Sequence, residues 1–178
     1  MIKQIINSKE CLCKCDDPCC RFYEQKYAPK FTKEEYDKVA KDKNIKKFMI
    51  KISKDMWQPK LSKKDGPYFI CPFVKNKTFC KIYSKRPFEC WVWPFFVIKK
   101  GKDYFLAFDD EECYGIEKRK NTDEMKNHIK HMAKKMQSNH FAKTFIKFPE
   151  LIWNHDKTFR ILCNLDVLKR KMELIEKI

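Results

Sequence analysis

The sequence predicts a small single α+β domain: a cysteine-rich, metal-binding core of short strands and a β-hairpin, followed by a helical tail. Three observations carry this. Cysteine occupies ten of 178 positions, and nine of the ten precede residue 114. The segments around the middle cysteines are short aromatic runs broken by polar turns, as in small sheets. From Asn121 the apolar residues recur at helical spacing instead.

In chain order, the first feature is a knot, Cys11-Leu12-Cys13-Lys14-Cys15-Asp16-Asp17-Pro18-Cys19-Cys20. Thr32-Lys33-Glu34-Glu35 then opens a helix, with Thr32 as N-cap and Glu35 three residues on as its capping-box partner. Tyr36, Val39 and Ala40 form its apolar stripe. The alternation of Phe48, Ile50 and Ile52 predicts a half-buried strand, and Asp65-Gly66-Pro67 a turn. Aromatic runs at 68–74 and 79–83 surround Cys71 and Cys80, joined by Lys75-Asn76-Lys77-Thr78. Strands at 95–98 and 104–108 flank Lys99-Lys100-Gly101-Lys102, a hairpin with Gly101 in its turn. Asn121 with Glu124 forms a second capping-box pattern, followed by a stripe of Met125, Ile129, Met132 and Met136. A last helix covers 166–178. There is no internal repeat and no linker long enough to divide the chain.

Composition narrows the function classes. The net charge of +16 suggests an anionic partner, but only Arg21, Arg86, Arg119, Arg160 and Arg170 among the 40 basic residues are arginine. Lysine is a solvated point charge, whereas arginine supplies bidentate contacts to phosphates and bases. A solvated basic surface is therefore expected, and a nucleic-acid partner is not favoured. Gly66, Gly101 and Gly115 are the only glycines and none are close together. Phosphate loops and dinucleotide fingerprints, which need clustered glycines, are excluded. The first residues lack a signal-peptide core, and no window reaches the apolar length of a membrane span. The expected compartment is the cytoplasm, with no membrane association.

In that compartment thiols stay reduced, which favours metal ligation over a disulfide framework. Cys19 and Cys20 are adjacent, and successive side chains in an extended segment point to opposite faces. They suit two metals, or a polynuclear cluster, better than one tetrahedral ion. No Cys-x-x-Cys occurs, so zinc knuckles and thioredoxin-like redox pairs are absent. The Cys-x-x-x-Cys-x-x-Cys of radical S-adenosylmethionine enzymes is also absent, because Phe22 and Pro18 stand where its last cysteine would fall. Cys71, Cys80 and Cys90 sit in apolar frames, of the kind that exclude water and tune an iron–sulfur cluster more than they matter to zinc. Pro87 suits the start of a short helix with Cys90 in its first turn, where the helix dipole and Arg86 favour the thiolate.

The stretch Cys71-Pro72-Phe73-Val74, followed by Cys80-Lys81-Ile82-Tyr83-Ser84-Lys85-Arg86-Pro87-Phe88-Glu89-Cys90 and Trp93-Pro94-Phe95, resembles the signature of the YkgJ-type CxxCxxCC cysteine-cluster family, a zinc- or iron-chelating domain. The resemblance covers about residues 11–116, including the helix start at Thr32 and Cys113-Tyr114-Gly115-Ile116. Here the N-terminal cysteines Cys11, Cys15, Cys19 and Cys20 have three-residue gaps where the family has two, and Cys13 is extra. The resemblance implies metal ligands at Cys11, Cys15, Cys19, Cys20, Cys71, Cys80, Cys90 and Cys113, enough for two 4Fe–4S clusters. Arg86 lies within the same motif, beside the expected cofactor. Residues 11–116 then form the metal-binding region of a domain spanning 1–178, and 121–178 its helical extension. Relatives include a flagellin lysine methylase, so the expected role is redox or cluster-dependent modification, with protein methylation as the enzymatic form. The alternative is a zinc-binding structural or adaptor module whose basic surface docks an acidic protein partner or nucleic acid.

Three further features read as ordinary. His128 and His140 flank the methionine stripe and His131 faces away from it, so surface or boundary positions fit them better than ligation. His155 and Cys163 have no companions in sequence.

Overall fold

The computed structural model describes residues 20–75, 79–109, 118–154 and 159–177. The chain is α+β, with its longer helices toward the C-terminal end. No described helix is long and apolar enough to cross a membrane. Two compact units divide at residue 91/92.

The first unit, described over residues 20–91, is built from small sheets. Strands β1 (Arg21–Phe22), β5 (Lys63–Asp65) and β6 (Tyr68–Ile70) pair in the order β1-β6-β5. Strands β2 (Phe31–Thr32), β3 (Met49–Ser53) and β4 (Met56–Pro59) form β2-β4-β3, and β7 (Val74–Lys75) and β8 (Phe79–Cys80) a two-stranded ribbon. Gly66 takes φ +59°, which the β5–β6 turn requires and an L side chain resists. The expected strand around Ile50 is β3, although Ile52 is 40% exposed.

Helix α1 (Lys33–Val39) starts as its sequence dictates. Thr32 accepts the Glu35 N–H, and the Glu35 carboxylate accepts the Thr32 N–H in return. The helix packs its Tyr36 ring flat on Trp57 of β4, with centroids 4.4 Å apart. Helix α2 (Lys43–Lys46) is one turn, capped by Asp42. Side-chain amides join these small pieces. Gln25 donates to the Pro59 carbonyl (2.9 Å) and accepts from the Leu61 N–H (2.8 Å). Buried Gln58 donates to the Ala28 carbonyl at 2.6 Å. The short helix α3 (Phe88–Val92) begins one residue after Pro87, which the sequence suggested as its first position, and holds Cys90 in its first turn as expected.

In the second unit, strands β9 (Phe95–Lys100) and β10 (Asp103–Asp109) form the expected hairpin, with Gly101 at φ +63°. Helix α4 (Asp123–Met136) buries Met125, Met132 and Met136. Its N-cap is Thr122, one residue beyond the expected Asn121, because the Thr122 hydroxyl accepts the Met125 N–H. Ser138 ends that run and caps α5 (Asn139–Lys147). The tail also contributes two strands that the sequence reading did not assign. Strand β11 (Trp153–Asn154) pairs parallel with β9, and β12 (Phe159–Asn164) antiparallel with β10, giving the order β11-β9-β10-β12. Helix α6 (Asp166–Ile175) packs on α5 and on β10. One sheet face is aromatic, with Phe96, Ile98 and Ala107 buried beneath Trp93, Phe105, Trp153 and Phe159.

Met132 is fully buried, whereas Lys130 on the same helix is exposed. Met132→Ala should lower the unfolding free energy by about 2–5 kcal/mol, measured by urea denaturation. Lys130→Ala should stay within about 0.5 kcal/mol of the parent.

Candidate metal centre

Three of the expected ligands lie in or against one buried cluster in the first unit. Its centre is Phe31, Val39, Cys71, Phe73 and Ile82, and Cys20 and Cys80 pack against it with Phe22, Tyr36, Phe48 and Trp57. Backbone pairing explains the convergence. Arg21 pairs with Ile70 across β1 and β6, and the ladder continues with the Cys71 N–H donating to the Cys20 carbonyl at 2.9 Å. Cys20 thus stands opposite Cys71 at the end of a strand pair. The chain then turns, with the Val74 N–H on the Cys71 carbonyl (3.1 Å), and β7–β8 sets Cys80 opposite Val74. Cys71 is 6% exposed, while Cys20 and Cys80 are half-buried. From Gly66 to Phe88 the sequence has no Asp or Glu, but it has Lys75, Lys77, Lys81, Lys85 and Arg86. Cations near a thiol favour the thiolate that a metal needs. An open groove of about 390 Å³ runs along Pro72 and Phe73, with Asp42, Lys47 and Lys81 on its walls.

Cys90 lies half-buried in α3. Its surroundings are more constrained than the sequence suggested. The Arg86 guanidinium is wedged between Tyr83 and Trp91, 3.9 and 4.1 Å from their ring centroids. Glu89, 6% exposed, accepts the Lys30 backbone N–H at 2.6 Å and the Lys30 ammonium at 3.2 Å. Glu35 does more than cap α1. Its Oε2 accepts from the Thr32 N–H and hydroxyl, and its Oε1 accepts the Phe88 N–H at 2.7 Å, 53 residues away. Burial raises the Glu35 carboxyl above its ordinary pKa, and the N–H donors of Thr32 and Phe88 only partly offset this.

The sequence reading missed the roles of Lys30, Glu89, Tyr83 and Trp91 and the second role of Glu35. One signal was present: a glutamate set in the apolar run Pro87-Phe88-Glu89-Cys90-Trp91 needs a partner if it is buried. Cys11, Cys13, Cys15, Cys19 and Cys113 lie outside the described residues. Among the described residues, no three Cys, His, Asp or Glu side chains gather closely enough to hold one ion. Cys20, Cys71 and Cys80 are therefore not a complete three-ligand site by themselves. As donors they fit a soft metal, being sulfur-only and walled by aromatic rings.

Cys163 lies in β12 of the second unit, where burial pushes its thiol up. His128 is half-buried against Phe95, and burial lowers its pKa, while His131 and His140 are exposed. No family model matches this chain, and no curated protein and no solved structure matches it.

Two outcomes are expected. Arg86→Lys should cost about 0.5–2 kcal/mol, because an ammonium cannot stack on two rings at once; Trp91 fluorescence and urea unfolding measure it. The fold favours protonated Glu35, so this group's stabilisation is complete below its ordinary value and is lost as pH rises through its raised folded value. Glu35→Gln cannot titrate. Urea unfolding between about pH 4 and pH 7 should therefore show the wild type losing stability relative to the variant as pH rises.

Proposed function

We propose that this chain is a thiolate-ligated metal protein, carrying iron–sulfur clusters in a redox or cluster-dependent modification role. The observation that carries this reading is the packing of Cys20, Cys71 and Cys80, from three separate segments, around one aromatic-walled core. A single buried cysteine is ordinary, since a thiol packs like a small hydrophobe. Three at one cluster, two of them in a stretch with lysines and no carboxylates, suit ligation better. The resemblance to the cysteine-cluster family supports the same reading, with Cys11, Cys15, Cys19, Cys20, Cys71, Cys80, Cys90 and Cys113 as the ligand set and two 4Fe–4S clusters as the cofactor.

Each residue group has a distinct part. The cysteines supply the sulfur donors. Phe31, Phe73, Phe22 and Trp57 keep water from the Cys71 side, which shapes the potential of any cluster held there. The clusters themselves would supply one-electron chemistry. The basic surface offers an acidic protein partner a docking face.

Anaerobic purification should give a brown protein with broad absorption near 400 nm and about eight irons per chain. Cys71→Ala and Cys90→Ala should each lose metal and destabilise the fold, because ligation and folding are coupled. Cys163→Ala should keep its full content. A colourless protein with stoichiometric zinc would replace iron by the structural-module reading. Metal content unchanged by both Cys71→Ala and Cys90→Ala would sink the ligand set.

A further inference from the structure

We propose that Glu35 and Glu89 are positioning residues that fix helix α3 and thereby aim the Cys90 sulfur at its metal. The proposal rests on the reading of Cys90 as a ligand.

Helix α3 has only five residues. A helix that short does not hold its own shape in water, since nucleation costs more than so few hydrogen bonds return. Its geometry must come from outside. Two carboxylates supply it, one at each of its first two residues. Glu35 reaches across from α1 and accepts the Phe88 N–H at 2.7 Å, and Glu89 holds Lys30 by its backbone N–H and its ammonium. Lys30 and Thr32 flank Phe31, which is fully buried in the cluster that contains Cys71. The same few residues are thus anchored to the sulfur-lined core on one side and to the Cys90 helix on the other.

Capping alone does not explain Glu35. Its Oε2 already completes the capping box with Thr32. The second oxygen is committed to a distant backbone amide, and burying the charge carries a cost. Glu89, next to Cys90, is nearly as costly, and Lys30 neutralises the negative charge it would otherwise add beside a thiolate. Neither carboxylate need touch a metal to act. Ligand-orienting groups of this kind commonly alter metal affinity roughly 10–100-fold when removed.

The test compares three variants of the full-length chain with the wild type. Glu35→Asp keeps a carboxylate in the first turn of α1 but is one methylene too short for Phe88. Glu89→Gln removes the charge that holds Lys30. Asp42→Ala removes the α2 cap and leaves both carboxylates and the bonds they accept, so it controls for general loss of stability in the same unit. Each is loaded anaerobically with ferrous iron and sulfide, and in parallel with cobalt(II) as a spectroscopic stand-in for zinc. The readouts are the visible circular dichroism of the bound metal, its rate of loss to a chelator, and the thermal midpoint. Glu35→Asp and Glu89→Gln should shift the visible spectrum and release metal roughly ten-fold faster or more, while Asp42→Ala lowers the midpoint with a wild-type spectrum. If all three load and release like the wild type, or if Asp42→Ala shifts the spectrum as much as Glu35→Asp, the positioning role is wrong and the metal reading stands. A wild-type chain that takes up neither metal sinks the metal reading, and this proposal with it.

Discussion

The first unit depends on polar side chains bonded to distant backbone, above all on the Glu35 carboxylate shared between Thr32 and Phe88. Its described strands are two to five residues long and fall into three separate small sheets. Ladders that short cannot hold a unit together. Gln25, Gln58, Glu35 and Glu89 tie segments at 25–35 to strands and helices tens of residues away, each filling a donor or acceptor that burial would otherwise strand. The second unit is built differently. It has a four-stranded sheet, and helices joined to it by methionine, leucine and phenylalanine packing.

That difference bears on where sulfur sits. In the second unit, buried apolar side chains supply the core, and Cys163 is a half-buried passenger in an outer strand. In the first unit a thiol is itself part of the core, with two more against it. Replacing Cys71 there removes a packing atom as well as a donor, so stability alone cannot separate the two roles. Metal content and spectra can.

The legible parts of the fold were those set by residues close in sequence. The Thr32–Glu35 box, the Gly101 hairpin and the methionine stripe of α4 each need only a few neighbours. The cap of α4 moved from Asn121 to Thr122 because two adjacent residues can both cap and sequence pattern does not choose between them. Strand β5, Lys-Lys-Asp, is wholly exposed and has no hydrophobic pattern; the Gly66 turn and its pairing with β6 define it. Strand β12 reads Phe-Arg-Ile-Leu-Cys-Asn, with no clean alternation because a bulge leaves one residue over. For the candidate site, the sequence named the thiols and the Arg86 neighbourhood. It did not show that Cys20 faces Cys71, or that Glu35 reaches Phe88, because both are made by chain segments tens of residues apart.

The bulge in β12 has a consequence of its own. Among the described residues, β12 pairs only with β10 and forms an edge of the sheet. A flat, apolar edge strand is a template on which further chains can add and aggregate. Here Leu106 faces Cys163 and Ala107 faces Ile161, which leaves Leu162 without a counterpart and twists the strand. Arg160, exposed and set over the Phe108 ring, adds a charge to the same strand. A second copy laid alongside would have to match the kink and place its own Arg160 near this one. The irregularity that hid β12 in the sequence also makes it a poor seed for fibre growth.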